Sequence, residues 1–336
     1  MTNDTTTLNG ALRELGETMA ANLTTQGVAS TWDEGLTTLA GKILDIQGGG
    51  SGYDGISLTG DKSILSAADS EYVTLSAQLM DGQSSAAVSG ETVSFKVYKA
   101  SDDTLIDTLT ADTNSSGLAT VSYYGEGTGD IYIKSNVGSV LSDLHLVEDC
   151  IRYDNATTDK TSNYSSVNLN SLSFVSDHYE AYRSLGTSPA STYYSPVYID
   201  ETLPTNFEIS VMYKASTNMN REQTELIISS THPTTNSGTT ELGIIVSDAR
   251  RGLFHRVNGS ATWYTERSTL SNNTWYTFYL KVEGTSVTAK ILDDSDNTIY
   301  TSTQTISAIQ NYKKWSMING ANSRTLSFKN LKIKQL

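Results

Sequence analysis

The stretch Trp275–Ile291, WYTFYLKVEGTSVTAKI, alternates with a period of two on both sides of Gly284. Tyr276, Phe278, Leu280 and Val282 fall on one face of an extended chain, and Val287, Ala289 and Ile291 do the same after the turn. Side chains of a strand point to opposite faces in alternation, so this pattern reads as two half-buried strands joined by a tight turn at glycine. Working outward, Phe207–Tyr213 (FEISVMY) alternates in the same way, and Leu242–Val246 and Leu326–Ile333 supply further short apolar runs. Residues 150–336 are therefore expected to be β, large, and rich in aromatics.

The hairpin at 275–291 resembles the concanavalin-like (laminin-G-like) jelly roll, where a W-Y-x-F-x-L-x-V-x-G strand meets one that crosses back. The run LSFKNLKI at 326–333 resembles the closing strand of that fold. The resemblance implies a two-sheet sandwich over 150–336. It implies little about ligand, because jelly rolls host lectins, hydrolases and inert modules alike.

Upstream, Val73, Leu75, Ala77 and Leu79 alternate with polar residues, as do Val93, Phe95 and Val97. Turn signals such as Asp81-Gly82, Ser89-Gly90 and Ser115-Ser116-Gly117 recur about every ten residues, which predicts an all-β sandwich over 56–149. Val88–Phe95 (VSGETVSF) and Asp112–Val121 (DTNSSGLATV) resemble the bacterial immunoglobulin-like domains of adhesins, which implies a spacer.

Helical spacing occurs near the start. Leu8, Leu12, Leu15, Met19 and Leu23 form one stripe, and Leu36, Leu39, Ala40, Ile43 and Leu44 follow a Thr31/Glu34 capping box. Segments this short need a partner surface, so 1–47 reads as a helical anchoring and oligomerisation segment, and Gly-rich 48–55 as a linker. The fold class is thus mainly β: a short α-helical N-terminal segment, an immunoglobulin-like β-sandwich, then a concanavalin-like jelly-roll β-sandwich. Two stretches, Ala11–Gly16 and Leu36–Ile43, resemble the anchoring ends of tail-fibre or head-fibre proteins of tailed viruses. That resemblance implies virion structural proteins as partners of residues 1–47, a homotrimer, and a location on the virion surface.

The chain has 336 residues and a formal charge of −14, with 25 Gly, 4 Pro, 19 Tyr, 6 Phe and one Cys. The acidity is uneven. Residues 1–50 carry six acids and two bases, 51–149 carry fifteen and four, and 150–336 carry sixteen and seventeen. An acidic stalk repels nucleic acid and anionic lipid, so neither is expected as a partner, and no apolar run long enough to insert into a membrane is readable. The near-neutral last segment stays free to meet an acidic glycan. Cys150 stands alone, which excludes an internal disulfide.

The Glu-x-Asp-x-x-Glu strand of jelly-roll hydrolases is absent, Asp200 and Glu201 would point to opposite faces, and Glu222 and Glu225 flank a polar loop. Asp112-x-Asn114-x-Ser116-Gly117 imitates a calcium loop but has Tyr123 at position twelve, and Asp293–Asn297 reads equally as a polar hairpin loop or a cation site. No cofactor, metal or enzymatic activity is expected, with a glycan depolymerase built from distant strands as the alternative, beside a cellular surface adhesin. What the last segment does hold is aromatics beside forked polar groups. Tyr193 and Tyr194, then Arg251, His255, Trp263, Tyr264 and Arg267, are the residues expected to bind a host cell-surface glycan. Aromatic faces cover the C–H side of a pyranose while planar polar groups bond its hydroxyls. Alternation puts Trp263 and Arg267 on one face and Tyr264 and Glu266 on the other. Trp275, Phe278 and Trp315 are expected in the core.

Overall fold

A computed structural model describes residues 53–82, 84–166, 169–183, 196–215, 224–232, 240–246, 250–266, 270–271, 273–319 and 324–336. The expected helices of 1–47, most of the glycine linker, and Tyr193, Tyr194 and Arg267 lie outside the described residues.

The first sandwich uses β1 (Tyr53–Gly60), β2 (Ile64–Ser66), β3 (Tyr72–Asp81), β4 (Thr92–Lys99), β5 (Leu105–Asp112), β6 (Leu118–Tyr124), β7 (Gly129–Val137), β8 (Val140–Leu141) and β9 (His145–Cys150). One sheet runs β1-β3-β6 and the other β2-β9-β7-β4-β5, an immunoglobulin-like arrangement of two facing sheets. The alternation in β3 and β4 is what closes it: Val73, Leu75, Ala77, Leu79, Val93, Phe95 and Val97 are all buried in one cluster. Two boundaries differ from expectation. β1 begins at Tyr53, inside the stretch read as linker, because pairing with Asp81 and a bulge between Tyr53 and Gly55 extend the edge. β9 runs through Cys150, whose buried thiol is pushed up to about 12 by desolvation. The Asn114 turn is closed by its own side chain, whose Oδ1 accepts from the amides of Ser116 and Leu118, so it is a loop lock.

The second sandwich uses β10 (Arg152–Asp154), β11 (Ser165–Ser166), β12 (Ser171–Val175), β13 (His178–Arg183), β14 (Pro196–Tyr198), β15 (Phe207–Ala215), β16 (Thr224–Ser229), β17 (Glu241–Val246), β18 (Arg251–Val257), β19 (Ser260–Glu266), β20 (Tyr276–Glu283), β21 (Ser286–Leu292), β22 (Thr298–Thr305), β23 (Lys314–Asn319) and β24 (Arg324–Gln335). An eight-stranded sheet contains the path β12-β13-β24-β15-β20-β21-β22, with β10 beside β24. A seven-stranded sheet runs β11-β14-β23-β16-β17-β18-β19. The hairpin quoted above is β20–β21, with Val282 opposite Val287, Leu280 opposite Ala289 and Phe278 opposite Ile291. Gly284 turns it at φ +58, a conformation that glycine adopts without steric cost.

The closing strand shows how sequence keeps its apolar side inward. Leu326 and Phe328 are buried at even positions, Leu331 and Ile333 at odd ones. The switch is a bulge: β15 advances from Ser210 to Met212 while β24 spends Lys332 to Lys329, and Asn330 takes the left-handed φ of +53. Without the extra residue, one of the two apolar sets would face water. Phe278 and Trp315 are buried in the inter-sheet core as expected. Trp275 is not. It precedes β20 on the outer side of the eight-stranded sheet, with Lys214 and Lys329 at 4.8 and 4.6 Å from its ring centre.

The two sandwiches dock directly. Lys160 bonds Asp69 at 2.9 Å, Arg152 lies between Asp69 and Glu201, Lys332 pairs with Glu148, and Lys334 meets both Asp130 and Glu208. The Ala68 amide donates to the Ile151 carbonyl at 3.0 Å. Burial alone would lower the Lys334 pKa, but the two carboxylates outweigh it and raise it, so the ammonium stays charged in the joint. Among the described residues no helix is long and apolar enough to cross a membrane.

Candidate functional site

The seven-stranded sheet has an inner side that packs on its partner sheet and an outer side with its own chemistry. Leu226, Ile228, Leu242, Ile244, Val246 and Leu253 point inward into the core. The intervening residues therefore point outward. Antiparallel register aligns them in rows across neighbouring strands. One row reads Ser316, Ile227, Gly243, Phe254, Trp263 from β23 to β19. A second, beside it, reads Lys314, Ser229, Glu241, Arg256, Ala261. At roughly 4.8 Å per strand spacing each row is about 19 Å long, but Ser316, Ile227, Phe254, Ser229, Glu241 and Arg256 are buried, so the rows reach solvent only at their ends, at Trp263, Ala261 and Lys314.

The middle of the face is apolar: Ile227, Ile245, Phe254 and Ile318 form a buried cluster separate from the main core, with Trp263 packed at its edge. Gly243 contributes no side chain between Ile227 and Phe254, and a Cβ there would strike the Leu226 carbonyl. At one end the rings and guanidinium groups interleave. Arg256 lies 5.0 Å from the Phe254 ring, Phe254 meets Trp263 at 5.6 Å, and Arg250 covers Trp263 at 4.5 Å. Such contacts hold a guanidinium flat against a half-buried indole. Arg256 is itself anchored by an ion pair to Glu241, and both are buried.

The other end is built on His232. Its ring stacks on Tyr198 at 3.7 Å and 17°, its Nδ1 lies 3.0 Å from Ser316 Oγ, and its Nε2 lies 3.7 Å from Asp200. Burial pushes the His232 pKa down, and nearby Asp200 only partly opposes it, so the imidazole favours the neutral form. Lys314 bonds Asp200 at 2.6 Å. Glu201 turns the other way, to Arg152 and the Trp315 indole N–H, which is the opposite-face placement expected of this pair.

The structure divides the expected binding residues. Trp263 stands on the outer face. Tyr264 packs against the inter-sheet core and its carbonyl accepts from Tyr300, His255 is within 2.9 Å of the Tyr312 hydroxyl, and Arg251 pairs with Glu266. The alternation separates Trp263 from Tyr264 as anticipated, but it also carries Arg251 and His255 to the side away from Trp263. Phe254, Arg256, Glu241, Arg250, Tyr198 and His232 replace them around the face. The signal that finds these residues is cross-strand register, which a single strand does not contain.

Other chemistry is narrower. Asp293 Oδ1 accepts from the amides of Ser295 and Asn297, so the 293–297 loop is closed on itself, and among the described residues no group of three His, Cys, Asp or Glu gathers as a metal site. Glu225 is the second residue of β16 and is fully buried on the outer face, while Glu222 lies outside the described residues. It stands opposite Ile245, four residues along from the Ser229–Glu241 pair, so roughly 13 Å of strand separates the backbones of Glu225 and Glu241.

Comparison with known proteins gives one family match and several remote structural likenesses. Residues 198–333 match the family described as "SO2946-like, C-terminal domain". The protein of unknown function SO2946 from Shewanella oneidensis MR-1 superposes at 15% identity and a TM-score of 0.40, covering 55% of this chain and 86% of that one. The Lotus tetragonolobus seed lectin matches at 8% identity and 0.41, over 55% and 97% of the two chains. The carbohydrate-binding module CBM66 from Bacillus subtilis matches at 10% and 0.36, over 52% and 96%. No curated protein matches the sequence.

Proposed function

We propose that this chain is an adhesin whose C-terminal sandwich binds a surface glycan on the outer face of the seven-stranded sheet. The observation that carries the reading is the row ending in Phe254 and Trp263 with Arg250 and Arg256 beside it. The half-buried Trp263 indole with the exposed Arg250 guanidinium beside it offers an aromatic surface and a positive charge at the accessible end of the sheet, while buried Arg256, paired with Glu241, supports Phe254 from within. The docked immunoglobulin-like sandwich serves as a stiff, acidic spacer that keeps neighbouring copies apart. Residues 1–47, by their resemblance to fibre-anchoring segments, attach and trimerise the chain, which places the whole as a virion fibre for host attachment. Many weak sites on one particle then supply avidity.

The test is attachment of the full-length chain to host cells and to their released surface polysaccharide. Trp263→Ala should weaken binding at least about tenfold, or 1.4 kcal/mol, while leaving the thermal midpoint of the fold within a few degrees. Undiminished binding by that variant removes the site. Release of reducing ends from the polysaccharide would replace the adhesin reading with a depolymerase.

A further inference from the structure

The joint between the two sandwiches encloses a polar cleft of about 470 Å³, within the range of roughly 300–1,000 Å³ typical of small-ligand sites, which favour domain interfaces. Asp61, Lys62 and Glu71 line it from the spacer; Tyr153, Asn155 and Thr158 line it from the jelly roll. We propose that this cleft is a second ligand site, selective for a short neutral sugar.

Three features support the assignment. The first is unspent hydrogen-bonding capacity. Asp61 accepts from Thr74 and Glu71 accepts from the Ser66 amide through Oε2, and among the described residues no partner outside these is seen for either carboxylate. The Asn155 side chain accepts from Thr157 through Oδ1, which leaves its NH₂ group to donate. Lys62 Nζ lies 5.7 Å from the Tyr72 ring, and Thr158 uses its carbonyl, not its hydroxyl, toward Tyr179. Acceptors and donors thus face one another across the cleft, the mixture that a row of sugar hydroxyls satisfies from both sides.

The second feature is charge. Lys62 offsets one of the carboxylates Asp61 and Glu71 while Lys160 is already paired with Asp69, so the lining has no cationic excess to draw an anion. The Tyr153 ring adds an apolar surface for the C–H side of a pyranose. The third is rigidity. Lys160–Asp69, Arg152–Asp69 and the Ala68–Ile151 hydrogen bond tie the walls together at the base, so binding need not order them. The cleft lies in the joint rather than on the sheet face, so it does not depend on the Trp263 site, and it shares with it only the ligand class.

The experiment is a protein NMR titration of the full-length chain with a panel of methyl glycosides (glucose, galactose, mannose, N-acetylglucosamine) and their disaccharides. At least one neutral member should shift the amides of Tyr153, Asn155 and Thr158 at concentrations up to about 10 mM. Thr158→Arg, which fills the cleft, and Asn155→Ala should each weaken that response at least tenfold, and Trp263→Ala should leave it unchanged. The proposal is overturned if no panel member shifts these residues, or if the response survives both cleft variants. Loss of the response in Trp263→Ala with retention in Thr158→Arg would dismiss the cleft; the sheet-face site is read separately, by the effect of Trp263→Ala on attachment to host cells.

Discussion

Removing the carboxylate of Glu241 isolates one structural element of the proposed binding face. Glu241 is fully buried and Arg256 is 5% exposed, so the ion pair between them has no bulk water to replace a lost partner. Breaking a buried pair from one side costs about 3–5 kcal/mol, because the surviving charge stays desolvated. For a domain the size of the second sandwich, a loss of 1 kcal/mol lowers the midpoint by about 2–4 °C, so Glu241→Leu should lower it by about 6–20 °C. Replacing both partners, as in Glu241→Leu with Arg256→Met, removes both desolvation costs and should recover at least about 2 kcal/mol of the loss. With Arg256→Met alone costing a similar 3–5 kcal/mol, the double-mutant cycle then yields a coupling energy of at least about 5 kcal/mol, measurable by calorimetry or chemical denaturation of the four proteins. The double variant also loses the guanidinium over Phe254, so it should regain stability without regaining ligand binding. A single-variant loss below about 1 kcal/mol, or a double variant no better than the single, would refute the idea that this pair pins Arg256 in place.

Acid should weaken the second sandwich through its buried histidines. Burial lowers the pKa of both His232 and His255 below the ordinary value. Between that value and the native one the unfolded chain binds more protons, so stability is present above about pH 6.5 and is lost as pH falls. The double variant His232→Gln/His255→Gln should therefore show a shallower loss between pH 7 and 5, and an unchanged slope in urea midpoints would contradict it. If residues 1–47 trimerise the chain, light scattering should report a trimer for the full-length protein and a monomer for a chain starting at Tyr53. The same state for both would discard the oligomerisation role.

Much of the architecture was legible because the strands carry their burial in period two. Val73 to Leu79 and Phe207 to Tyr213 fall with their apolar members buried, and Gly284 sits where the hairpin needs positive φ. Other features depend on relations between strands. The Asn330 bulge inverts the parity of β24, and only its pairing with β15 reveals that both apolar sets share a face. Trp275 was expected in the core from its place beside Tyr276, but it lies one residue before the strand, where alternation no longer fixes direction. The binding face shows the same division. The sequence separates Trp263 from Tyr264, yet nothing along β18 or β19 says which side packs on the partner sheet. Phe254, Glu241 and Tyr198 are brought toward Trp263 and His232 by register and stacking across strands far apart in sequence. Glu225 reads from sequence as the flank of a polar loop and Glu241 carries no signal at all, and only burial between neighbouring strands sets the two apart.

The central claim is that the outer face of the seven-stranded sheet recognises carbohydrate through Trp263 and its flanking guanidinium groups. The most direct measurement is a glycan array probed in parallel with the labelled full-length chain and its Trp263→Ala variant, both shown to be folded by their thermal midpoints. A defined set of glycans should be bound by the first and lost at least about tenfold by the second. Equal binding by both proteins, or no glycan bound by the intact chain, would contradict it.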